Sequence, residues 1–148
     1  MLVRFRADVI DLHPRVVVIL AGTNDIGGRY GPIPARATEG NLESMAELAL
    51  LHRIKVVLSS ILPVCDCHGQ TQTVKRPAAQ ILTLNSWMKQ YASEHKLVYL
   101  DYHAAMVDER GMLREDLTVD GLHPNEAGYR VMAPLAERAI LSALADRY

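Results

Sequence analysis

Three features of this 148-residue sequence predict an α/β fold with a parallel sheet. Short apolar runs rich in β-branched residues at 16–20 and 54–60, with a weaker one at 97–100, lack the in-out alternation of a half-exposed strand. Strands buried on both faces by helices read that way. Between the runs lie stretches whose apolar residues recur at helical spacing, so helices and strands alternate along the chain. The first run also breaks into a polar turn, Ala21-Gly22-Thr23-Asn24-Asp25, where a parallel sheet presents its ligands, just beyond the strand carboxyl ends.

Residues 1–12 set Leu2, Phe5, Val9 and Leu12 on one side at helical spacing, and the pattern is already running at Met1, with no capping residue before it. His13-Pro14 should end this helix, because Pro14 biases its predecessor away from helical geometry. The strand at 16–20 follows, then a glycine- and proline-rich loop, 26–34, of the kind that overhangs a site. Leu42, Met45, Ala46 and Ala49 mark the crossover helix at 35–52, and the strand at 54–60 stops before Pro63. Residues 64–76 are polar and irregular. Pro77 suits a first helical position, after which Ala78, Ile81, Leu82, Asn85, Met88 and Tyr91 line one face to about residue 95. A third strand at 97–100 leads into an acidic stretch, 101–120, and a last helix opens at Pro124 with Ala127, Val131, Leu135, Ala139 and Leu144 inward. Pro134 should bend that helix.

Residues 1–148 read as a single domain, with no repeat or linker to divide them. Sixteen basic against seventeen acidic residues give a formal charge of −1, and no basic stripe is interleaved with aromatics, so a nucleic-acid partner is not expected. No apolar stretch reaches the roughly 18 residues of a membrane span. The sequence assigns no compartment.

Chemistry concentrates in two places. Asp120 and His123, three apart on a turn before the last helix, can hydrogen-bond so that the carboxylate fixes the imidazole tautomer. Taken alone, the pair also fits turn chemistry followed by a helix cap. Gly22-x-Asn24-Asp25 alone could equally be a turn that uses the tolerance of Asn for left-handed geometry.

Taken together, Gly22-x-Asn24-Asp25 after a buried strand and Asp120-Gly121-x-His123-Pro124-Asn125-x-x-Gly128-Tyr129 near the end resemble the SGNH hydrolases, also called the GDSL lipase and esterase family. Leu58-Ser59-Ser60-Ile61-Leu62-Pro63 resembles the family's strand and loop after the crossover helix. The resemblance implies a flavodoxin-like three-layer α/β/α fold with strand order 2-1-3-4-5. It implies Asn24 as an oxyanion donor, His123 as general base and then acid, and Asp120 as its orienter. Gly22, which lets another backbone come close, and Asp25, which sets a carboxylate beside the Asn24 amide, are candidate supporting residues. The family's G-D-S nucleophile and second-strand glycine have no counterpart here, and the strand at 16–20 corresponds to the family's third. At roughly 30 residues per βαβ unit, the expectation is a domain lacking its first two strands by N-terminal truncation. An open edge at 16–20 would then favour a homodimer through that strand.

Ser59 and Ser60 end a strand on the same side of the sheet as Asn24, but hydroxyls that close a buried strand usually bond backbone groups. Thr23 sits beside Asn24, where its hydroxyl would compete with the amide. Cys65-x-Cys67-His68 has the residue types of a metal cluster without a partner knuckle, and its cysteines look too close for a disulfide, which leaves flexible surface thiols. Trp87, Tyr99, Tyr102 and His103 read as packing residues or cleft rim. The sequence thus points to an ester hydrolase with a Ser-His-Asp mechanism whose serine is missing from this chain, acting on small acyl esters such as an acetylated sugar or a short-chain lipid ester. No metal or cofactor is called for. The alternative is a non-catalytic α/β domain that binds carbohydrate or a partner protein and keeps a remnant site.

Overall fold

Three parallel strands, β1 (Val16–Ile19), β2 (Lys55–Ser59) and β3 (Val98–Leu100), lie side by side in the order β1-β2-β3. Val16 pairs with Lys55 and Ile19 with Leu58, while Val57 pairs with Val98 and Ser59 with Leu100. This computed structural model describes residues 1–29 and 31–145. Around the sheet run α1 (Phe5–Asp8), α2 (Thr23–Ile26), α3 (Ala35–Leu51), α4 (Gln72–Lys75), α5 (Ala78–Glu94), α6 (Tyr102–Met106) and α7 (Glu126–Ala145). Among the described residues no helix is long and apolar enough to cross a membrane.

The lack of alternation in β2 has a direct cause, since both of its faces are covered. Val56 and Leu58 pack with Leu42, Met45 and Ala49 of α3 and with Ile81, Leu84 and Met88 of α5. Val57 turns the other way, towards Met106 of α6 and Met132, Ala139 and Ala143 of α7. The result is three layers, with two helices on one face and α7 on the other. Both crossover helices end alike: Arg53 and Lys96 take left-handed φ values of 61° and 55°. The next amides then reach back five residues, Ile54 N–H to Ala49 C=O at 2.9 Å and Leu97 N–H to Ala92 C=O at 2.8 Å.

The first twelve residues do not form the continuous helix that their spacing predicts. A 3₁₀ turn (Leu2–Arg4), the single turn α1 and a second 3₁₀ turn (Ile10–Leu12) follow one another, broken at Val9 with φ −131° and ψ −60°. The break exchanges one apolar contact for another: Ile10 enters the core at 2% exposure, whereas Leu12 stays 71% exposed. The last helix begins at Glu126 rather than Pro124. Pro124 instead bridges to Thr118, and Asn125 Oδ1 accepts from the Gly128 N–H at 3.0 Å, which makes Asn125 the cap.

The cysteines also differ from expectation. Cys65 and Cys67 are joined in a disulfide, and Cys65 is buried. The chain bends at Asp66, whose carboxylate accepts from the Thr73 N–H at 2.9 Å, and the two Cα atoms come within 5.3 Å, inside the range a disulfide spans. His68 lies apart from them, 3.4 Å from the Glu115 carbonyl.

Candidate active site

After β1 the chain turns sharply at Gly22, with φ +112°. A side chain there would be strained and would also put its Cβ 2.8 Å from Ile61 Cδ1. The tightness of the turn sets α2 against α5 and leaves Asn24 exposed, its amide making no hydrogen bond to a described residue. Thr23 Oγ1 is buried without a hydrogen-bond partner among the described residues, so it does not compete for that amide.

The second turn is built by two side chains. Thr118 Oγ1 accepts from the Gly121 N–H at 3.0 Å and donates to the His123 carbonyl at 2.8 Å. Asp120 Oδ1 accepts from the backbone N–H groups of Leu122 at 3.0 Å and His123 at 2.8 Å, leaving Oδ2 2.7 Å from His123 Nδ1. These bonds, the His123 amide first, hold the Asp120 carboxyl down at about 2 against the opposing effect of partial burial. An ionised carboxylate can only accept, so the ring proton sits on Nδ1 and Nε2 is left as the acceptor of a neutral His123. Gly121, with φ +79°, lies against the disulfide segment: a Cβ there would stand 2.2 Å from the Cys65 carbonyl oxygen.

The two turns face one cleft of about 260 Å³, lined by Leu20, Thr23, Asn24, Ile61, Leu62 and His123 among others. Asn24 and His123 are therefore brought together, with Asp120 gripping the ring edge at Nδ1. Gly22 shapes the first turn. Asp25 is not part of this cleft; it borders a neighbouring hollow of about 810 Å³. The 26–34 loop was expected to overhang the His123 cleft, but its Ile26, Gly27, Gly28, Gly31, Pro32 and Ile33 line that larger hollow instead. The reason is the single turn of α2, which carries the chain past Asn24 before the glycines begin.

Neither candidate serine lines the cleft. Ser59 and Ser60 are fully buried, Ser59 Oγ donating to the Ser60 carbonyl at 3.1 Å and Ser60 Oγ accepting from the His103 N–H at 2.9 Å. Tyr99 packs beside them, and burial pushes its hydroxyl up to about 12.

Three residues that sequence reasoning passed over support the two turns. Asn85, counted there among the apolar positions of α5, is buried and grips Ile61 twice, Oδ1 accepting from its N–H at 2.7 Å and Nδ2 donating to its C=O at 2.9 Å. An asparagine inside an apolar helical stripe was the available signal. Arg76 is 7% exposed, and its Nε donates to the Thr23 carbonyl at 3.1 Å while Nη1 donates to Gln72 Oε1 at 3.0 Å. Gln72 Nε2 in turn donates to the Asp120 carbonyl at 3.2 Å. Nothing in the polar 64–76 stretch signals either residue.

The sequence model of the GDSL-like Lipase/Acylhydrolase family matches residues 1–131. A crystal structure of a candidate acylhydrolase from Bacteroides fragilis is 41% identical, with TM-score 0.89, covering 97% of this chain and 69% of that one. A GDSL-like lipase from Bacteroides thetaiotaomicron is 40% identical, with TM-score 0.88 and coverage of 96% and 69%. An acetylxylan esterase from Geobacillus stearothermophilus, solved as a catalytic mutant, is 21% identical with TM-score 0.75 and coverage of 94% and 65%; at that identity the likeness speaks for the fold alone. No curated protein matches the chain at a significant level.

Proposed function

The chain belongs to the GDSL-like lipase/acylhydrolase family, and from that premise we propose that its cleft is the base and oxyanion half of an ester-hydrolysing Ser-His-Asp site. One observation carries the reading: a carboxylate-locked imidazole and an uncommitted carboxamide, 99 residues apart in the sequence (123 − 24), share one cleft. In this reading His123 takes the proton from the attacking oxygen at Nε2 and returns it to the leaving alcohol. Asp120 stabilises the imidazolium that forms in between. The Asn24 amide donates to the oxyanion of the tetrahedral intermediate, and Gly22 holds that amide at the strand end. Asp25, bordering the larger hollow, is kept as a supporting residue beside Asn24. The substrate class proposed is a small acyl ester, an acetylated sugar or a short-chain lipid ester, which an apolar cleft of this size suits.

The serine nucleophile is proposed to be absent from this chain, because Ser59 and Ser60 are spent on backbone bonds away from the cleft. Without it the chain can only activate water, forfeiting the acyl-enzyme route. Comparable hydrolases stripped of their serine keep a residual acceleration of roughly 10³ to 10⁴ over water. The second reading is a non-catalytic binding domain with a remnant site. A chromogenic acetate separates them: slow turnover lost in both His123→Ala and Asn24→Ala supports the hydrolase site, whereas hydrolysis indifferent to both supports the binding domain. Rapid turnover lost in Ser59→Ala or Ser60→Ala would show that the chain carries its own nucleophile.

A further inference from the structure

Arg76 stands out as a charge with no obvious reason to be buried. It is 7% exposed, and no carboxylate among the described residues forms an ion pair with it. Burial first, and then the nearby charge of Arg29, disfavour its protonated form, and the charge of the Asp120 carboxylate only partly offsets them. A desolvated guanidinium is costly unless its donors are well used. Here they are used on the two turns of the site: directly on the Thr23 carbonyl, one residue before Asn24, and through Gln72 on the Asp120 carbonyl. The planar fork of arginine can hold both acceptors at once, which the point charge of a lysine does less well. Gly27 makes room for it, since a Cβ there would lie 2.8 Å from the guanidinium carbon.

We propose that Arg76 is a positioning residue: with Gln72 it forms a strut between the turn of Asn24 and the turn of Asp120 and His123, and so sets the span across which oxyanion donor and base face one another. The proposal rests on the reading of those three residues given above. Each turn is internally bonded, His123 to Asp120 and α2 to Gly22, so loss of the strut should displace one turn relative to the other while leaving the base pair itself formed. Misplacement of about 1 Å is enough to cost roughly 100-fold in a reaction that needs both groups.

The test uses backbone N–H residual dipolar couplings of the whole chain in a weakly aligning medium, for the wild type, Arg76→Met, Arg76→Lys and Gln72→Glu. Gln72→Glu keeps an acceptor for Arg76 and sets a carboxylate oxygen, which cannot donate, against the Asp120 carbonyl, so it breaks that arm of the strut even where Arg76→Met does not fold. In the wild type, the amides of residues 24–27 and 120–123 should fit the same alignment frame as β2 and α5. In Arg76→Met and Gln72→Glu one of the two sets should leave that frame, with the core amides and the His123 Nδ1–H tautomer unchanged in 15N spectra. Arg76→Lys should fall between. Couplings that still fit one frame in Gln72→Glu and in every variant that folds would overturn the proposal, as would loss of the His123 tautomer together with the core, which marks a merely structural residue. Acetate hydrolysis, run alongside, judges the other reading: its indifference to His123→Ala would remove the hydrolase site while the couplings still decide whether the strut exists.

Discussion

Asp120 carries more of the site than its motif suggests, because its two oxygens serve different ends: one builds the turn and the other orients the ring. Asp120→Asn should therefore keep the fold by circular dichroism yet replace the single Nδ1–H tautomer of His123 with a mixture, read from 15N shifts. An unchanged tautomer would show that the carboxylate does not set it. The pH dependence has a definite sign. With the folded carboxyl near 2 against an ordinary 3.8, its contribution is present above the ordinary value and disappears as pH falls towards 2. The difference in melting temperature between wild type and Asp120→Asn should therefore shrink across that window. Gly121→Ala, which meets both a positive φ and the Cys65 carbonyl, should cost roughly 1–3 kcal/mol or more in denaturant melts. The spacing of Asp120 and His123 was legible because their contact is local. Arg76 and Gln72 were not, because their partners lie 53 and 48 residues away and no local pattern encodes such a pairing.

At the scale of elements, β2 was the easiest to read, since burial on both faces leaves an unbroken apolar run, and the half-buried β1 and β3 keep enough of that pattern to be found. The N-terminal helix misled because a 3.6-residue stripe and a broken chain of short turns both bury Phe5, and only the coordinates show Ile10 taking the inner place of Leu12. The disulfide was missed for a similar reason: the bend at Asp66, capped from Thr73, depends on α4, which the irregular sequence at 64–76 does not announce. Unfolded without reductant, the chain should show no reactive thiol at Cys65 or Cys67, and a positive thiol assay would contradict the bond. On α5, Asn85→Ala strands both polar groups of Ile61 in the core and should cost roughly 2 kcal/mol or more, measured by urea unfolding. A cost near zero would mean that the strand end relaxes to pair elsewhere.

For the whole molecule, two features matter: an unpaired sheet edge and a cleft shared by two distant turns. Among the described residues β1 has a neighbour only in β2, and the groove along it is lined by exposed Met1, half-buried Val9, Val17 and Val18, and buried Phe5. Such an edge invites another strand. We propose pairing with a second copy there, so light scattering should show a mass that rises with concentration, and a monomer at every concentration would contradict it. The three-layer architecture, through the β1 and β3 flanks of β2, is what carries residues 20–25 and 120–123 to the same end of the sheet. In the function proposed above, this shared cleft binds a tetrahedral oxyanion between Asn24 and His123. Its most direct test is titration of the 15N-labelled chain with ethyl methylphosphonate, a tetrahedral anion shaped like an acetate ester under attack. The Asn24 side-chain amide and the His123 ring should shift together along one saturable curve that Asn24→Ala abolishes. Shifts confined to Asp25 and the larger hollow, or no saturable shift at either residue, would contradict it.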